Sequence, residues 1–228
     1  MKLKENIYDK YIIKKPWGEE YVIYRDKNNI AVTILFIKFN KSTSLHCHPK
    51  KKTGFVLIDG KAKIQLGLYK SGEKIYNRHS KLMIRNGLFH KTTAINKNGL
   101  IALEFENPVD KNDLVRFSDS FGRKKLPYEN KKFFIKKNHK ETIKIDKSLK
   151  YQKIKVKNRY FYYEVHKNFK KIIKYKNTDI FGILSGTVID HNDKSVLNAG
   201  DIVKTGTLKK LSKRFSIGKE LKLFRFVV

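Results

Sequence analysis

The stretch Ser44-Leu45-His46-Cys47-His48-Pro49 decides the fold class that we predict for this chain. Side chains alternate between the two faces of an extended strand, so His46 and His48 would lie on the same side. A third histidine, His90, ends a second glycine-containing segment that begins at Asn86. Two histidines from one strand and one from another suit a divalent metal inside a small β-barrel, with open positions left for substrate. The sequence therefore predicts a metal site made of His46, His48 and His90.

The segments around this stretch are typical of β-strands. Residues 31–39, 53–58 and 100–106 are rich in β-branched and aromatic side chains, and polar and apolar residues alternate in 61–66. Similar segments recur at 160–165, 180–184 and 221–228. Short strands separated by turns such as Asp59-Gly60 predict an all-β barrel or sandwich. The polar stretch from Asn107 to about Tyr128 interrupts this pattern, and we expect a short helix or an ordered loop there, with Asp110 as its cap.

The second half of the chain echoes the first. Residues 184–189 repeat the pattern of residues 58–63, a strand followed by a glycine turn and another strand. We predict a metal-binding domain over residues 1–130 and a smaller, degenerate β domain over 140–228. If Gly186 corresponds to Gly60, no metal cage survives in the second domain, because its ligand positions hold Ile172, Lys174, Asp179 and, beyond Gly206, Lys209.

The charge and composition of the chain indicate which classes of binding partner to expect. The formal net charge of +31 attracts phosphate groups, but only eight of the 52 basic residues are Arg, the side chain best suited to bidentate contacts with nucleic acid. The lysines are also spread along the whole chain. We therefore expect an anionic small molecule as the partner and no specific nucleic acid.

Several segment types are missing from the sequence. No apolar run is long enough to span a bilayer, and the N-terminus lacks the apolar core of a signal peptide. A single cysteine, Cys47, excludes an internal disulfide and is predicted to pack as a small residue on the face opposite the two histidines. These features predict a cytoplasmic protein without a membrane span.

Residues 15–123 resemble the cupin domain of type II phosphomannose isomerases, which are often fused to mannose-1-phosphate guanylyltransferases. The resemblance is carried by an ordered set of motifs: Lys15-Pro16-Trp17-Gly18-Glu19, residues 44–48 followed by Gly60, Gly87-Leu88-Phe89-His90, and Asp113 through Arg123. It implies a double-stranded β-helix, the cupin or jelly-roll barrel, and hence a bicupin with a degenerate second barrel. It also implies a bound divalent ion (zinc, nickel, manganese or iron) and, since cupins often pair through their sheets, a homodimer.

The chain departs from that pattern at three positions. Thr53 stands where the family usually has a metal-binding glutamate, Arg85 where proline is common, and His46 where phosphomannose isomerase-like sequences often have glutamine. Losing the carboxylate leaves the predicted site more positive, which favours an anionic substrate. We predict that Lys52, Thr53, Arg85 and Arg116 contact this substrate.

The resemblance implies an isomerase or epimerase acting on a phosphorylated or nucleotide-linked sugar, in the supply of surface polysaccharide precursors. Glu104 and Glu106 alternate with apolar neighbours, and one of them is the predicted acid/base group, which we assign to Glu104. Arg123 would clamp a phosphate or polarise a carbonyl, unless it forms a structural ion pair with Asp119 or Asp113. Two alternatives stay open: a non-catalytic sugar-binding or assembly cupin, and a metal-dependent dioxygenase, since three histidines with open positions also suit iron and oxygen chemistry.

Overall fold

The chain forms four antiparallel sheets in a computed structural model that describes residues 7–26, 30–123, 133–138 and 142–228. The first sheet has seven strands, which in spatial order are Phe134–Lys136 (β12), Tyr11–Lys15 (β1), Gly18–Asp26 (β2), Ile30–Ile37 (β3), Leu100–Asn107 (β10), Lys52–Asp59 (β5) and Lys81–Ile84 (β8). The second has five, which are Val115–Ser118 (β11), Leu45–Cys47 (β4), His90–Ala94 (β9), Lys61–Leu66 (β6) and Glu73–Asn77 (β7).

From β3 to β11 the chain crosses repeatedly between these two sheets. The strands β3, β5, β8 and β10 belong to the larger sheet, whereas β4, β6, β7, β9 and β11 belong to the smaller one. The two sheets enclose an apolar core that includes Trp17, Leu57 and Ile64. This arrangement is a double-stranded β-helix, and it confirms the predicted all-β barrel.

The second half has the same strand order on a smaller scale. Its five-stranded sheet consists of Tyr151–Val156 (β13), Arg159–His166 (β14), Leu221–Phe226 (β20), Ile180–Ser185 (β15) and Ile202–Lys204 (β18). Its three-stranded sheet consists of Ser195–Leu197 (β17), Val188–Ile189 (β16) and Ser216–Ile217 (β19). The order β13-β14-β20-β15-β18 repeats β2-β3-β10-β5-β8. The helix α1 spans Thr205–Leu211, and short 3-10 turns lie at Ile7–Asp9, Lys70–Gly72 and Ile172–Lys174.

Two glycines mark the correspondence between the halves. Gly60 and Gly186 follow β5 and β15, and both have a positive φ, of 87° and 84°. A Cβ atom at Gly60 would lie 2.3 Å from the carbonyl oxygen of Gly99, and one at Gly186 would lie 1.9 Å from that of Glu220. Each carbonyl directly precedes the strand that pairs with β5 or β15, namely β10 in the first half and β20 in the second. Both turns require glycine for two reasons. A Cβ atom would clash with the carbonyl oxygen, and residues with a side chain rarely adopt a positive φ.

The two large sheets pack back to back. Successive residues of β5 alternate, so that Phe55 and Leu57 face the first barrel while Val56 and Ile58 face the second half. Both faces of β5 are therefore buried, which explains its nearly continuous apolar sequence. The core between the halves brings Leu103 and Phe105 of β10 together with residues of the other half, namely Phe161, Tyr163, Ile202 and Phe224.

Some boundaries differ from the sequence-based expectations. The polar stretch after Asn107 contains turns, as expected, but it also contains the strand β11, which extends the smaller sheet beside β4. The strand β12, which lies between the two predicted domains, pairs with β1 of the first sheet. No helix in the described part of the chain is long and apolar enough to cross a membrane.

Candidate metal centre

Three histidines meet inside the first barrel. His46 lies in β4 directly opposite His90 of β9, and His48 follows the end of β4. One ring nitrogen of each residue lies within 4.8 Å of those of the other two. The ring centroids are 4.4 Å apart for His46 and His90, 5.0 Å for His46 and His48, and 5.4 Å for His48 and His90. Strand alternation and the β4–β9 pairing thus bring together the three predicted ligands.

Backbone carbonyls orient the three rings. The Nδ1 atoms of His46, His48 and His90 lie 2.8, 2.5 and 3.1 Å from the carbonyl oxygens of Ser44, Asp113 and Leu88. A carbonyl oxygen can only accept, so Nδ1 carries the proton and donates in each case, which leaves a lone pair on Nε2. The Nε2 atom of His48 is buried and has no hydrogen-bond partner among the described residues.

The electrostatic environment keeps these imidazoles neutral. Burial, with the nearby His90 and His48, holds the pKa of His46 well below its usual value. Burial and the charge of Lys51 lower the pKa of His48 to about 2. Burial, opposed by the hydrogen bond to Leu88, lowers the pKa of His90 to about 4. Neutral imidazole is the form that binds metals.

The donor set fits a divalent transition metal. Three neutral imidazole nitrogens converge, their other nitrogens are fixed by carbonyls, and one lone pair is buried without a partner. Three protein ligands also leave coordination positions for water or substrate. His46, His48 and His90 are therefore the residues that could hold such an ion.

A buried charge cluster lies in the same cavity. The carboxylate of Glu106 on β10 accepts from the ammonium groups of Lys51 and Lys111 at 2.5 and 2.7 Å, and from the Thr33 hydroxyl at 3.1 Å. Burial opposes ionisation of Glu106, but Lys111 and Lys51 hold its pKa well below the usual value. Glu106 is therefore ionised and fully occupied by its partners.

Glu104 differs from Glu106 although both lie on the inward face of β10. Burial, followed by the negative charge of Glu106, raises the pKa of Glu104 to about 7, and the charges of Lys51 and Lys111 act in the opposite direction. Glu104 can therefore exchange a proton near neutral pH, which suits it to acid/base chemistry.

The cavity has a volume of about 70 Å³. It is lined by the three histidines, by the aromatic and apolar residues Trp17, Leu35, Phe55 and Leu114, and by eight ionisable side chains, namely Lys15, Glu20, Lys51, Glu104, Glu106, Lys111, Arg116 and Arg123. Five of these eight groups are basic and three are acidic. The cavity can therefore accommodate an anionic group.

The structure brings only some of the predicted substrate-binding residues to the cavity. Arg116 lines it and lies opposite His46 in the β11–β4 pair. Thr53 points inward on β5 and is buried, and its hydroxyl oxygen has no hydrogen-bond partner in the part of the chain that the structure describes. Lys52 lies on the opposite face of β5, 2.7 Å from Asp201. Arg85 is exposed in the turn after β8 and does not line the cavity.

Arg123 lines the cavity and is also anchored by an acid. Its Nη2 atom lies 2.7 Å from Oδ1 of Asp119, and its Nε atom donates to Oδ2 at 3.2 Å. The structure thus contains the ion pair that the sequence offered as the alternative to a phosphate clamp. The phenyl ring of Phe121 covers the guanidinium at 5.3 Å from the ring centroid.

Sequence reasoning did not assign three residues that organise this site. Asp113 accepts hydrogen bonds from the backbone of Lys50 and Lys51 and supplies the carbonyl that orients His48. Lys51 and Lys111 neutralise Glu106. The strand period could have identified Lys51 instead of Lys52, because Lys51 shares the inward register of Thr53.

The corresponding positions of the second half hold no such group. Ile172 packs in the apolar core of that half, and Asp179 lies 3.2 Å from Arg225. Within residues 7–26, 30–123, 133–138 and 142–228, the three histidines of the first barrel are the only group of three or more such side chains that could hold a metal ion. His166 is buried against Glu164 at 2.8 Å, and His139 lies outside the described residues.

No protein-family model and no curated protein matches the chain. Similar solved structures include the capsular polysaccharide assembling protein CapF from Staphylococcus aureus, with 15% identity over 47% of this chain and 34% of that one, at a TM-score of 0.42. KdgF from Halomonas sp. has 10% identity over 44% and 88%, at 0.39. A Klebsiella pneumoniae protein with a double-stranded β-helix domain has 14% identity over 46% and 77%, at 0.36. The chain spans about a third of the length of CapF.

Proposed function

We propose that this chain is a metal-dependent isomerase or epimerase that acts on a phosphorylated or nucleotide-linked sugar, in the supply of surface polysaccharide precursors. One observation carries the proposal. Three neutral imidazoles suited to a divalent ion share a cavity with Glu104, whose pKa is raised to about 7. A Lewis acid and a proton carrier in one small space are what carbonyl–enediol chemistry requires.

Each group has a distinct role in this proposal. A divalent ion held by His46, His48 and His90 would polarise a carbonyl oxygen of the sugar. Glu104, in its ionised form, takes a proton from the neighbouring carbon and returns it to the adjacent one. A pKa of about 7 allows the same carboxyl group to perform both steps near neutral pH.

The charge balance of the cavity favours an anionic substrate. Thr53 is uncharged at the position where the resembling family has a carboxylate, and Glu106 is already neutralised by its two lysines. Arg116 also lines the cavity, as does Lys15, which lies 3.5 Å from Glu20. We assign the phosphate contact to Arg116, because Lys52 and Arg85 lie outside the cavity.

Solvent-proton exchange tests this function. The protein, loaded in turn with zinc, nickel, manganese and iron, is incubated in D₂O with hexose phosphates and nucleotide sugars, and deuterium incorporation is followed by NMR. We expect deuterium at the carbon beside the carbonyl. Glu104→Gln should lower the exchange rate by roughly 10²- to 10⁴-fold, with metal affinity unchanged. The surface variant Glu73→Gln should behave like wild type. Exchange that survives removal of all three histidines would refute the metal mechanism.

A non-catalytic sugar-binding module is the second candidate. It is favoured by the pairing of Lys51, Lys111 and Arg123 with acids. Under this alternative, sugar phosphates raise the melting temperature without any deuterium exchange. Oxygen uptake by the iron-loaded protein would instead support a dioxygenase.

A further inference from the structure

A second candidate binding site lies in the other half of the molecule. A groove of about 440 Å³ runs along α1 and is lined by Lys204, Lys209, Lys210 and Lys213, together with Asn177, Gly206 and Thr207. Lys209, Lys210 and Lys213 follow Gly206 at spacings of three, four and seven residues. These spacings place them on one side of α1 and of the helical turn after it.

The positive charge of this groove is not neutralised by neighbouring acids. The described residues that line it include no Asp or Glu. Within the described part of the chain, no ion pair joins any of its four lysines to a carboxylate. In the metal-site cavity, by contrast, Lys51 and Lys111 share Glu106.

Like charges are also crowded at the end of the groove. Lys204 ends β18, and its charge reaches Lys81 of β8 in the first half, whose pKa is lowered by burial and by Lys204. Clustered ammonium groups without counter-charges repel one another, and an anion bound among them relieves this repulsion.

The lining residues indicate the class of anion. Lysines act as point charges towards phosphate oxygens, and the described lining has no Arg, the side chain best suited to bidentate contacts. The lining has no aromatic side chain, and base stacking depends on one. The volume falls within the range of small-molecule sites. We propose that this groove binds a compact polyphosphate group, such as a diphosphate or triphosphate, independently of the metal centre.

Calorimetry with inorganic tripolyphosphate and with inorganic phosphate tests this site, using the full chain in buffers freed of divalent metal. The groove variant carries Lys204→Ala, Lys209→Ala, Lys210→Ala and Lys213→Ala. The control variant carries Lys61→Ala, Lys70→Ala, Lys74→Ala and Lys97→Ala, four exposed lysines of the first half. Both variants lose four positive charges from a chain with a net charge of +31. A difference in affinity between them therefore reports a local site and not the overall charge of the chain.

We expect wild type to bind tripolyphosphate more tightly than phosphate. The groove variant should lose at least about tenfold in affinity, and the control variant should stay within about twofold of wild type. The single variant Lys210→Glu should reproduce most of the loss, and circular dichroism verifies its fold. Equal losses in the groove and control variants, or no binding to wild type, would overturn the proposal. A short DNA duplex that binds more tightly than tripolyphosphate, and only through the groove lysines, would also overturn it in favour of a nucleic-acid surface.

Discussion

His46 and His48 of the candidate metal centre were predictable as a pair because their geometry is local, whereas His90 was identified from the glycine-containing segment that it ends. His46 and His48 are two residues apart on one strand, so the strand period alone places them on one face. The residues that orient the histidine rings, and those that neutralise the charges beside them, were not predictable in the same way. Asp113 is 65 residues away from His48, whose ring it orients, and Lys51 is 55 residues away from Glu106. Such partners meet only through the barrel topology, and a period within one segment contains no information about them.

The neutral histidines predict a loss of stability in acid. Each has a folded-state pKa below the usual value of about 6.5, so the unfolded chain takes up protons that the folded chain cannot. The free energy of unfolding of the metal-free protein should fall as the pH is lowered from about 7.5 to 5, by up to about 2 kcal/mol for each imidazole. Urea denaturation in a chelating buffer at several pH values measures this change.

A variant with all three histidines changed to Gln is the control for this acid effect. It should lose most of the pH dependence over that interval, whatever its absolute stability. A pH dependence that is the same in both proteins would show that the imidazoles are protonated in the folded state.

We expect that replacing Glu106 alone will strongly lower the free energy of unfolding. Glu106→Gln removes the carboxylate shared by Lys51 and Lys111, whose side chains are only 3% and 8% exposed. Two buried ammonium groups would lose the carboxylate that they share, which costs roughly 3–5 kcal/mol. Urea denaturation measures the loss. In the surface pair Lys63–Glu73, where the lysine is 43% exposed, Glu73→Gln should cost less than about 1 kcal/mol.

At the level of elements, the sequence predicted the long strands well and the short ones poorly. The strands β5, β10 and β15 have continuous apolar segments because the back-to-back packing buries both of their faces. The strand β11, by contrast, is largely exposed. Apolar and polar residues alternate in its sequence Val-Arg-Phe-Ser, which lies within a polar stretch of the chain. Its existence depends on pairing with β4, and the sequence of residues 115–118 alone does not reveal this partner.

Because Phe105 of β10 packs directly against Gly182 of β15, we expect a larger residue at position 182 to cause strain. A Cβ atom at Gly182 would lie 2.3 Å from the Phe105 ring, so Gly182→Ala must displace the ring or the strand that carries it. We expect a loss of roughly 1–3 kcal/mol in the free energy of unfolding, as is typical of overpacked cores. Adding Phe105→Leu to this variant should recover part of the loss, and thermal and urea denaturation measure both variants.

Gly206 provides the matched control for Gly182→Ala. Gly206 lies in α1, and the atom nearest to a Cβ at this position would be 3.6 Å away. Gly206→Ala should therefore be neutral, or stabilising by up to about 1 kcal/mol, since alanine favours helix. Equal destabilisation at Gly182 and Gly206 would argue against the Phe105 contact as the cause.

At the scale of the whole molecule, the two barrels share one core. Ile34, Leu103 and Phe105 of the first half pack in the same cluster as Phe161 and Phe224 of the second. The ion pairs Lys52–Asp201 and Arg159–Asp59 link the halves at 2.7 and 2.9 Å. The β10 strand contributes to both regions, since Glu104 and Glu106 face the metal centre while Phe105 faces the second half. The second barrel, which lacks a metal site among its described residues, therefore supports the sheet that carries the acidic groups.

This shared core predicts that the halves unfold together. Trp17, the single tryptophan of the chain, is buried beside the first barrel's cavity, so its fluorescence reports on the first half alone. Far-ultraviolet circular dichroism reports on the strands of both halves. We expect the two signals to give the same urea midpoint, because separation of the halves would expose the large apolar cluster between them. A variant with Phe224→Ala, which weakens the core between the halves, should lower both midpoints equally, by an amount equivalent to about 3–5 kcal/mol. A fluorescence midpoint that stays at its wild-type value in this variant would show that the first barrel is stable without its neighbour.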